Sequence, residues 1–148
     1  YAVYSTPQKE NVYELANLSF YVNTFMDMLN KMLSKNGFTN IQVGIGVAIG
    51  KDLVIKVGQK GTGINDKVWV GDAVMTASNL SNIAGRNGNK KIAYSKLMYD
   101  NCIDILIEKN SGKTPEEIRS WFTKSNSNNC YFANIIKTPF SNWIEEKL

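Results

Sequence analysis

The sequence predicts an α+β fold in which helices cover a mixed, mainly antiparallel sheet. Apolar residues recur at helical spacing over residues 12–33. Two apolar runs, at residues 41–49 and 53–57, lie so close together that they predict a β-hairpin. Short apolar runs then alternate with helix-start signals to the end of the chain. A length of 148 residues with 43% hydrophobic composition suits one domain, residues 1–148.

The first strand and the long helix come from local patterns. Residues 1–4 form an apolar run that predicts a strand. The helix is expected to begin at a capping box of Asn11 and Glu14 and to end where Asn36 precedes a glycine.

Gly44 and Gly46 interrupt the first strand of the predicted hairpin, where glycine weakens pairing. Two explanations stay open. Either they mark a β-bulge or close packing of the long helix, or their backbone contacts a ligand. The second explanation makes both residues candidates for nucleotide binding.

A glycine-rich loop from Gly58, a strand at residues 67–70 and a helix at residues 72–83 follow in that order. This arrangement leaves backbone N–H groups free for an anion, although glycine loops also serve turn geometry alone. Asp72 is placed to cap the helix. One helix face is small enough to lie close on a sheet, and it comprises Val74, Ala77, Ser78, Ser81 and Ala84.

The C-terminal part contains further strands and helices. Thr114 and Glu117 form a capping box around a proline, and that helix is expected to carry Trp121 and Phe122. The other expected elements are a strand at 91–94, a helix from Ser95, a loop at 124–129, a strand at 130–136 and a short tail from Thr138.

Composition excludes several kinds of site. The chain has no histidine, which rules out a histidine base and His-ligated zinc. Cys102 and Cys130 stand alone and are expected to be reduced thiols of a cytoplasmic protein. A net charge of +4 fits a small anionic ligand and does not demand nucleic acid. No apolar run approaches the roughly 18 residues that span a membrane.

The loop does not match the common phosphate-binding motifs. Neither the P-loop nor the dinucleotide fingerprint occurs. Asp66 and Asp72 flank the short strand, about 20 Å apart if it is extended, so they cannot share one metal unless the chain bends. Each has a structural alternative, as a turn residue and a helix cap. Lys56, Lys60 and Lys67 are candidate phosphate partners or simply solvated side chains.

The motifs between Gly44 and Leu80 resemble the class III nucleotidyl cyclase domain. The resemblance rests on VGIG at residues 43–46 and on VWVGDAVMTASNL at residues 68–80. More narrowly, KVGQKGTGIND at residues 56–66 resembles the pyrimidine cyclases of bacterial Pycsar anti-phage systems. The resemblance covers most of the chain and implies a ferredoxin-like core.

The resemblance also implies a head-to-tail homodimer with a nucleoside triphosphate bound between subunits. Two Asp residues would hold Mn²⁺ or Mg²⁺ for attack of the ribose 3′-hydroxyl on the α-phosphate. Both Asp positions are expected upstream of Tyr1, which makes this chain the C-terminal portion of the domain, without metal ligands of its own. The partner subunit would supply the base pocket and the helix that begins at Gly71.

Three positions depart from the family pattern. Met75 stands where the family has Asn, Asn79 where it has Arg, and Val68 where it has a base-reading Asp. A thioether is only a weak hydrogen-bond acceptor. Either other groups, such as Lys56 and Lys60, act instead, or the protein is slow or inactive. Trp69, Gly71, Asp72 and Asp66 complete the expected nucleotide-binding set.

The favoured function is a pyrimidine nucleotide cyclase that makes cyclic UMP or cyclic CMP from UTP or CTP, as a signal in anti-phage defence. The first alternative is a catalytically degenerate module that binds nucleotide or only dimerises. The second is an unrelated α+β binding domain.

Overall fold

The computed structural model describes residues 1–58 and 65–148. These residues form helices and strands in an α+β arrangement. The elements are α1 (Lys9–Lys35), β1 (Ile45–Val47), β2 (Asp52–Gly58), β3 (Asn65–Gly71), α2 (Asp72–Ile83), β4 (Ile92–Ser95), α3 (Lys96–Lys109), α4 (Pro115–Ser120), β5 (Phe122–Ser125), β6 (Cys130–Ala133) and α5 (Thr138–Lys147).

The main sheet has four strands in the order β1-β4-β6-β5. β1 lies parallel to β4, whereas β6 pairs antiparallel with both β4 and β5. This confirms the prediction of a mixed, mainly antiparallel sheet with helices.

The predicted hairpin between residues 41–49 and 53–57 is wrong. β1 pairs with β4 through Ile45 and Ile92, and β2 pairs antiparallel with β3 in a separate two-stranded sheet. The ladder of β2 begins at Asp52, opposite Gly71. β2 therefore pairs with the next strand along the chain rather than with the preceding apolar run, and its ladder with β3 covers all seven of its residues.

Helices lie on both faces of the main sheet. Successive residues of a strand point to opposite faces. Ile92 and Tyr94 join the larger core cluster, which also contains residues of α1 and α3. Ala93 instead joins the smaller cluster with Leu80 and Ala84 of α2. α2 therefore covers one face, and α1 and α3 cover the other.

The N-terminal predictions need two corrections. Residues 1–4 form no strand, because an apolar run becomes a strand only where it finds a ladder partner. The long helix forms as expected but begins at Lys9, with Gln8 as its N-cap. The Gln8 backbone N–H donates to Asn11 Oδ1 at 3.3 Å, so Asn11 is the third residue of the helix rather than its cap.

In the C-terminal part, the predicted helix caps are correct, but the predicted end of one helix is not. Ser95 caps α3, and the Thr114–Glu117 capping box forms. However, α4 ends at Ser120, and Phe122 opens β5, where it pairs with Ala133. The predicted tail from Thr138 is α5.

Candidate functional site

A side chain from β2 fixes the start of α2. Asp52 Oδ1 accepts a hydrogen bond from the Ala73 backbone N–H at 3.0 Å. The N-cap position is occupied by Gly71, and Asp72 is the first residue inside the helix. The prediction that Asp72 caps this helix is therefore wrong. The Asp52 carboxylate on β2 instead accepts the hydrogen bond from the free Ala73 N–H.

The close approach of Asp52 to the start of α2 requires a residue without a side chain at Gly71. A Cβ atom at Gly71 would lie 2.3 Å from Asp52 Oδ1 and 2.9 Å from the Lys51 carbonyl oxygen. Real side chains do not approach so closely, so a larger residue would push β2 away from the helix start. No local pattern indicates the role of Asp52, because its hydrogen bond spans 21 positions.

The small face of α2 lies directly on β1, as predicted. A Cβ at Gly46 would lie 1.9 Å from the Ala77 carbonyl oxygen, and one at Gly44 would lie 2.3 Å from that of Ser81. The two glycines thus permit close helix packing, and the helix concerned is α2 rather than the long helix. A role for Gly44 and Gly46 in nucleotide binding stays a prediction.

The opposite face of α2 is exposed and carries three of the predicted site residues. Asp72, Met75 and Asn79 are spaced by three and four residues, so they share one helix face. Met75 is 62% exposed. The structure therefore brings Asp72, Met75 and Asn79 together on one exposed helix face.

One face of the β2–β3 hairpin carries two opposed lysines. Lys56 lies directly opposite Lys67, and Val54 lies opposite Trp69. Residues two apart along a strand share a face, so Trp69 is on the same side as both lysines. Like charges directly opposite each other repel, and a bound anion would relieve that repulsion. Both lysines are exposed, and Trp69 is half-buried.

The other hairpin face is apolar and exposed. Leu53 is 65% exposed, and Ile55 and Val70 are exposed as well. Val68, which stands at the family's base-reading position, lies opposite Ile55 and is half-buried. Two-stranded hairpins are marginally stable alone, so this face is suited to being covered by another surface.

Two predicted site residues have no described side chain. Lys60 lies outside the described residues. Asp66 lies within β3, where its backbone pairs opposite Val57, so it is a strand residue and not the predicted turn residue.

The donor set for a pair of divalent metals is not present among the described residues. Within residues 1–58 and 65–148, no three His, Cys, Asp or Glu side chains come together. At the α2 start, Asp52 already accepts the Ala73 N–H and Asp72 is an exposed first-turn residue. A Mn²⁺ or Mg²⁺ pair does not fit these residues alone.

The cysteines are buried free thiols, as expected for reduced residues. Burial raises the pKa of the Cys102 thiol to about 12. It also raises the pKa of Cys130, and both shifts disfavour the reactive thiolate. Neither cysteine is therefore placed for nucleophilic chemistry. In the part of the chain that is described, no helix has the length and apolar character needed to cross a membrane.

Two curated proteins are similar to this chain over most of its length. A uridylate cyclase of Treponema porcinum is 38% identical over 146 residues, which are 99% of this chain and 48% of that protein. A uridylate cyclase of Gulbenkiania mobilis is 30% identical over 138 residues, covering 91% of this chain and 54% of that protein. No protein-family model matches the chain, and no solved structure matches it. The chain thus spans about half the length of these curated relatives and is similar, along nearly all of its own length, to proteins named uridylate cyclase.

Proposed function

We propose that the chain is part of a pyrimidine nucleotide cyclase that converts UTP to cyclic UMP, or CTP to cyclic CMP. In this reaction the ribose 3′-oxygen bonds to the α-phosphorus, the bond to pyrophosphate breaks, and the hydroxyl proton is released. The observation that carries the proposal is the 38% identity to a uridylate cyclase across 99% of the chain. We further propose that the product is a cytoplasmic signal in anti-phage defence.

The opposed lysines support binding of a triphosphate. Lys56 and Lys67 face each other across the hairpin, and no carboxylate among the described residues pairs with either. Lysine is a common point-charge partner for phosphate. Trp69, on the same face, is placed to contact a planar base.

The exposed face of α2 would contact the rest of the nucleotide. Asn79 offers an amide that can both donate and accept hydrogen bonds to ribose or phosphate, whereas Met75 offers only packing. The helix N-terminus also favours negative charge nearby. These residues bind and orient the nucleotide. The divalent metals implied by the resemblance would need carboxylates other than those described.

A head-to-tail homodimer would cover the apolar hairpin face. Leu53, Ile55 and Val70 are exposed on a two-stranded sheet, and a second copy would remove them from water. In such a dimer, the hairpin and α2 of one subunit would face the remaining half of the site in the other.

A degenerate cyclase-like module is the second candidate. The observation that favours it is Met75, 62% exposed at a position where the family has a hydrogen-bonding Asn. Loss of a transition-state donor costs about 10²–10³ in rate. A protein of this kind would bind nucleotide or dimerise without turnover.

The test is a cyclase assay in two settings. The chain is incubated with each of UTP, CTP, ATP and GTP and with Mn²⁺ or Mg²⁺, and pyrophosphate and cyclic product are measured. In parallel, the chain replaces the matched 146 residues of the Treponema porcinum uridylate cyclase, so that the rest of that protein is retained. Cyclic UMP or cyclic CMP from either protein is the expected result.

Matched variants separate the two candidates. In an active protein, Asn79→Ala and Lys56→Ala should lower the rate, while Lys124→Ala, an exposed lysine on β5, should not. If the folded hybrid protein is inactive but gains activity with Met75→Asn and Asn79→Arg together, the degenerate module is correct. A folded hybrid protein that neither turns over nor binds any nucleotide contradicts both candidates.

A further inference from the structure

A cavity lies away from the hairpin and from the start of α2. Its volume is about 480 Å³, within the range of small-molecule sites. It sits at the end of the main sheet where β4 and β5 begin and β6 ends, under α1 and α3. The start of α2 is near the other end of the sheet, because α2 runs back along β1 from Ala77 over Gly46 to Ser81 over Gly44.

The cavity is lined by three lysines and, among the described lining residues, by no carboxylate. Lys90, Lys113 and Lys137 contribute the positive charge. The Lys90 ammonium donates to the Trp121 carbonyl oxygen at 3.2 Å, and the Lys137 ammonium donates to Asn17 Oδ1 at 2.5 Å. Both partners are neutral, and the Lys137 ammonium also lies 5.0 Å from the centroid of the Tyr21 ring, so no described carboxylate neutralises this positive charge.

Some lysines elsewhere in the described chain are paired with carboxylates, whereas others, such as Lys56 and Lys67, are not. Lys31, Lys91 and Lys109 each form an ion pair with a carboxylate, at 3.0, 2.5 and 3.1 Å. Charge density of one sign around a concave surface attracts a small ion of the opposite sign. Three lysines without a carboxylate in the described lining therefore favour an anion as the occupant of the cavity.

The remaining walls suit a flat ring. Trp121 is half-buried in the lining, beside Tyr13 and Phe20 of α1. The amides of Asn110 and Asn134 add hydrogen-bonding groups. The first residues of α5 also line the cavity, and this ten-residue helix has no side-chain N-cap, which adds partial positive charge.

We infer that this cavity binds a small molecule that carries both a phosphate and a planar ring, of the size of a nucleoside monophosphate. The lysines contact the phosphate, and Trp121 contacts the ring. This second site does not depend on cyclase activity, since it shares no residue with the hairpin or with α2.

Calorimetric titration of the chain tests the inference. The probes are the four common nucleoside monophosphates, the matching nucleosides and inorganic phosphate. We expect at least one monophosphate to bind, more tightly than phosphate alone or its nucleoside, with an affinity that falls as salt rises. Lys113→Ala and Lys137→Ala should each weaken it about tenfold or more.

Lys113 is the cleaner variant, because its exposed ammonium contacts no partner that the structure describes. Trp121→Leu should weaken binding of the monophosphate but leave binding of inorganic phosphate unchanged. Lys124→Ala and, at the hairpin, Lys56→Ala should leave binding unchanged. The inference is overturned if no monophosphate binds up to about 1 mM, if binding is insensitive to Lys113 and Lys137, if Lys56→Ala abolishes it, or if inorganic phosphate binds equally well.

Discussion

The core between the main sheet and α1 and α3 differs sharply from the β2–β3 hairpin. In the core, Ile92, Tyr94 and Met98 are fully buried, and the Tyr94 hydroxyl and Ser19 Oγ share a hydrogen bond of 2.5 Å. In the hairpin, Leu53 and Val70 are mostly in contact with water. The core side chains are therefore buried against one another, whereas apolar and charged groups of the hairpin lack partners among the described residues. That difference is the basis for our proposal that the hairpin contacts ligands and other chains.

The largest expected effect compares two leucines. Leu106→Ala in α3 removes a side chain that is 1% exposed and should lower the free energy of unfolding by about 2–5 kcal/mol. Leu53→Ala in the hairpin should change it by less than about 1 kcal/mol, because Leu53 is 65% exposed. Urea unfolding of both variants measures the difference. Equal losses of unfolding free energy in the two variants would contradict the difference between the core and the hairpin.

Alkaline pH should weaken the core. The pKa of Cys102 is raised from 9.0 to about 12 by burial, so the folded state holds this proton more tightly than the unfolded state. Its contribution is complete below pH 9.0 and is lost progressively as pH rises towards 12. The expected slope is about 1.4 kcal/mol per pH unit.

The check is urea unfolding over that pH range for the native chain and for Cys102→Ala. The variant should lose stability less steeply, by about one proton. If the free energy of unfolding falls equally steeply with pH in the native chain and in Cys102→Ala, the burial of Cys102 does not contribute to this pH dependence. Tyr94, whose pKa burial also raises, should add a further loss only above pH 10.0.

The junction between the two regions should respond to Asp52. Asp52→Ala removes the acceptor of the Ala73 N–H and should cost about 0.5–2 kcal/mol of stability. Asp72→Ala, the matched control, should cost less because Asp72 is not the cap. Thermal unfolding of both variants measures this. A larger effect at Asp72 would restore the original prediction that it caps α2.

Local chemistry explains which parts of the fold could be predicted. The Thr114 capping box, the Ser95 cap, the long helix and α2 each depend on residues close in sequence, and each was predicted. The pairing of β1 with β4 was not predicted, because that partner lies far along the chain and is selected by burial; β2 then pairs with the following strand, β3, instead of with the preceding apolar run. Phe122 illustrates the limit, since helix propensity gave way to its pairing with Ala133.

The candidate site was predictable in part for the same reason. Met75 and Asn79 follow from helical spacing once the family motif is identified. The pairing of Lys56 with Lys67 depends on the β2–β3 register, which the sequence pattern assigned differently. The cap supplied by Asp52 depends on that register too. The basic cavity under α1 and α3 joins residues 13–20, 90, 106–113, 121 and 134–139, so no single motif indicates it.

The central claim is that the hairpin and the exposed face of α2 bind the nucleotide. Two-dimensional amide NMR of the labelled chain during titration with UTP and Mg²⁺ tests it most directly. We expect shift changes at Lys56, Lys67 and Trp69 on the hairpin that continue through residues 72–79. Signals from these residues that stay unmoved while the chain is saturated with UTP would contradict it.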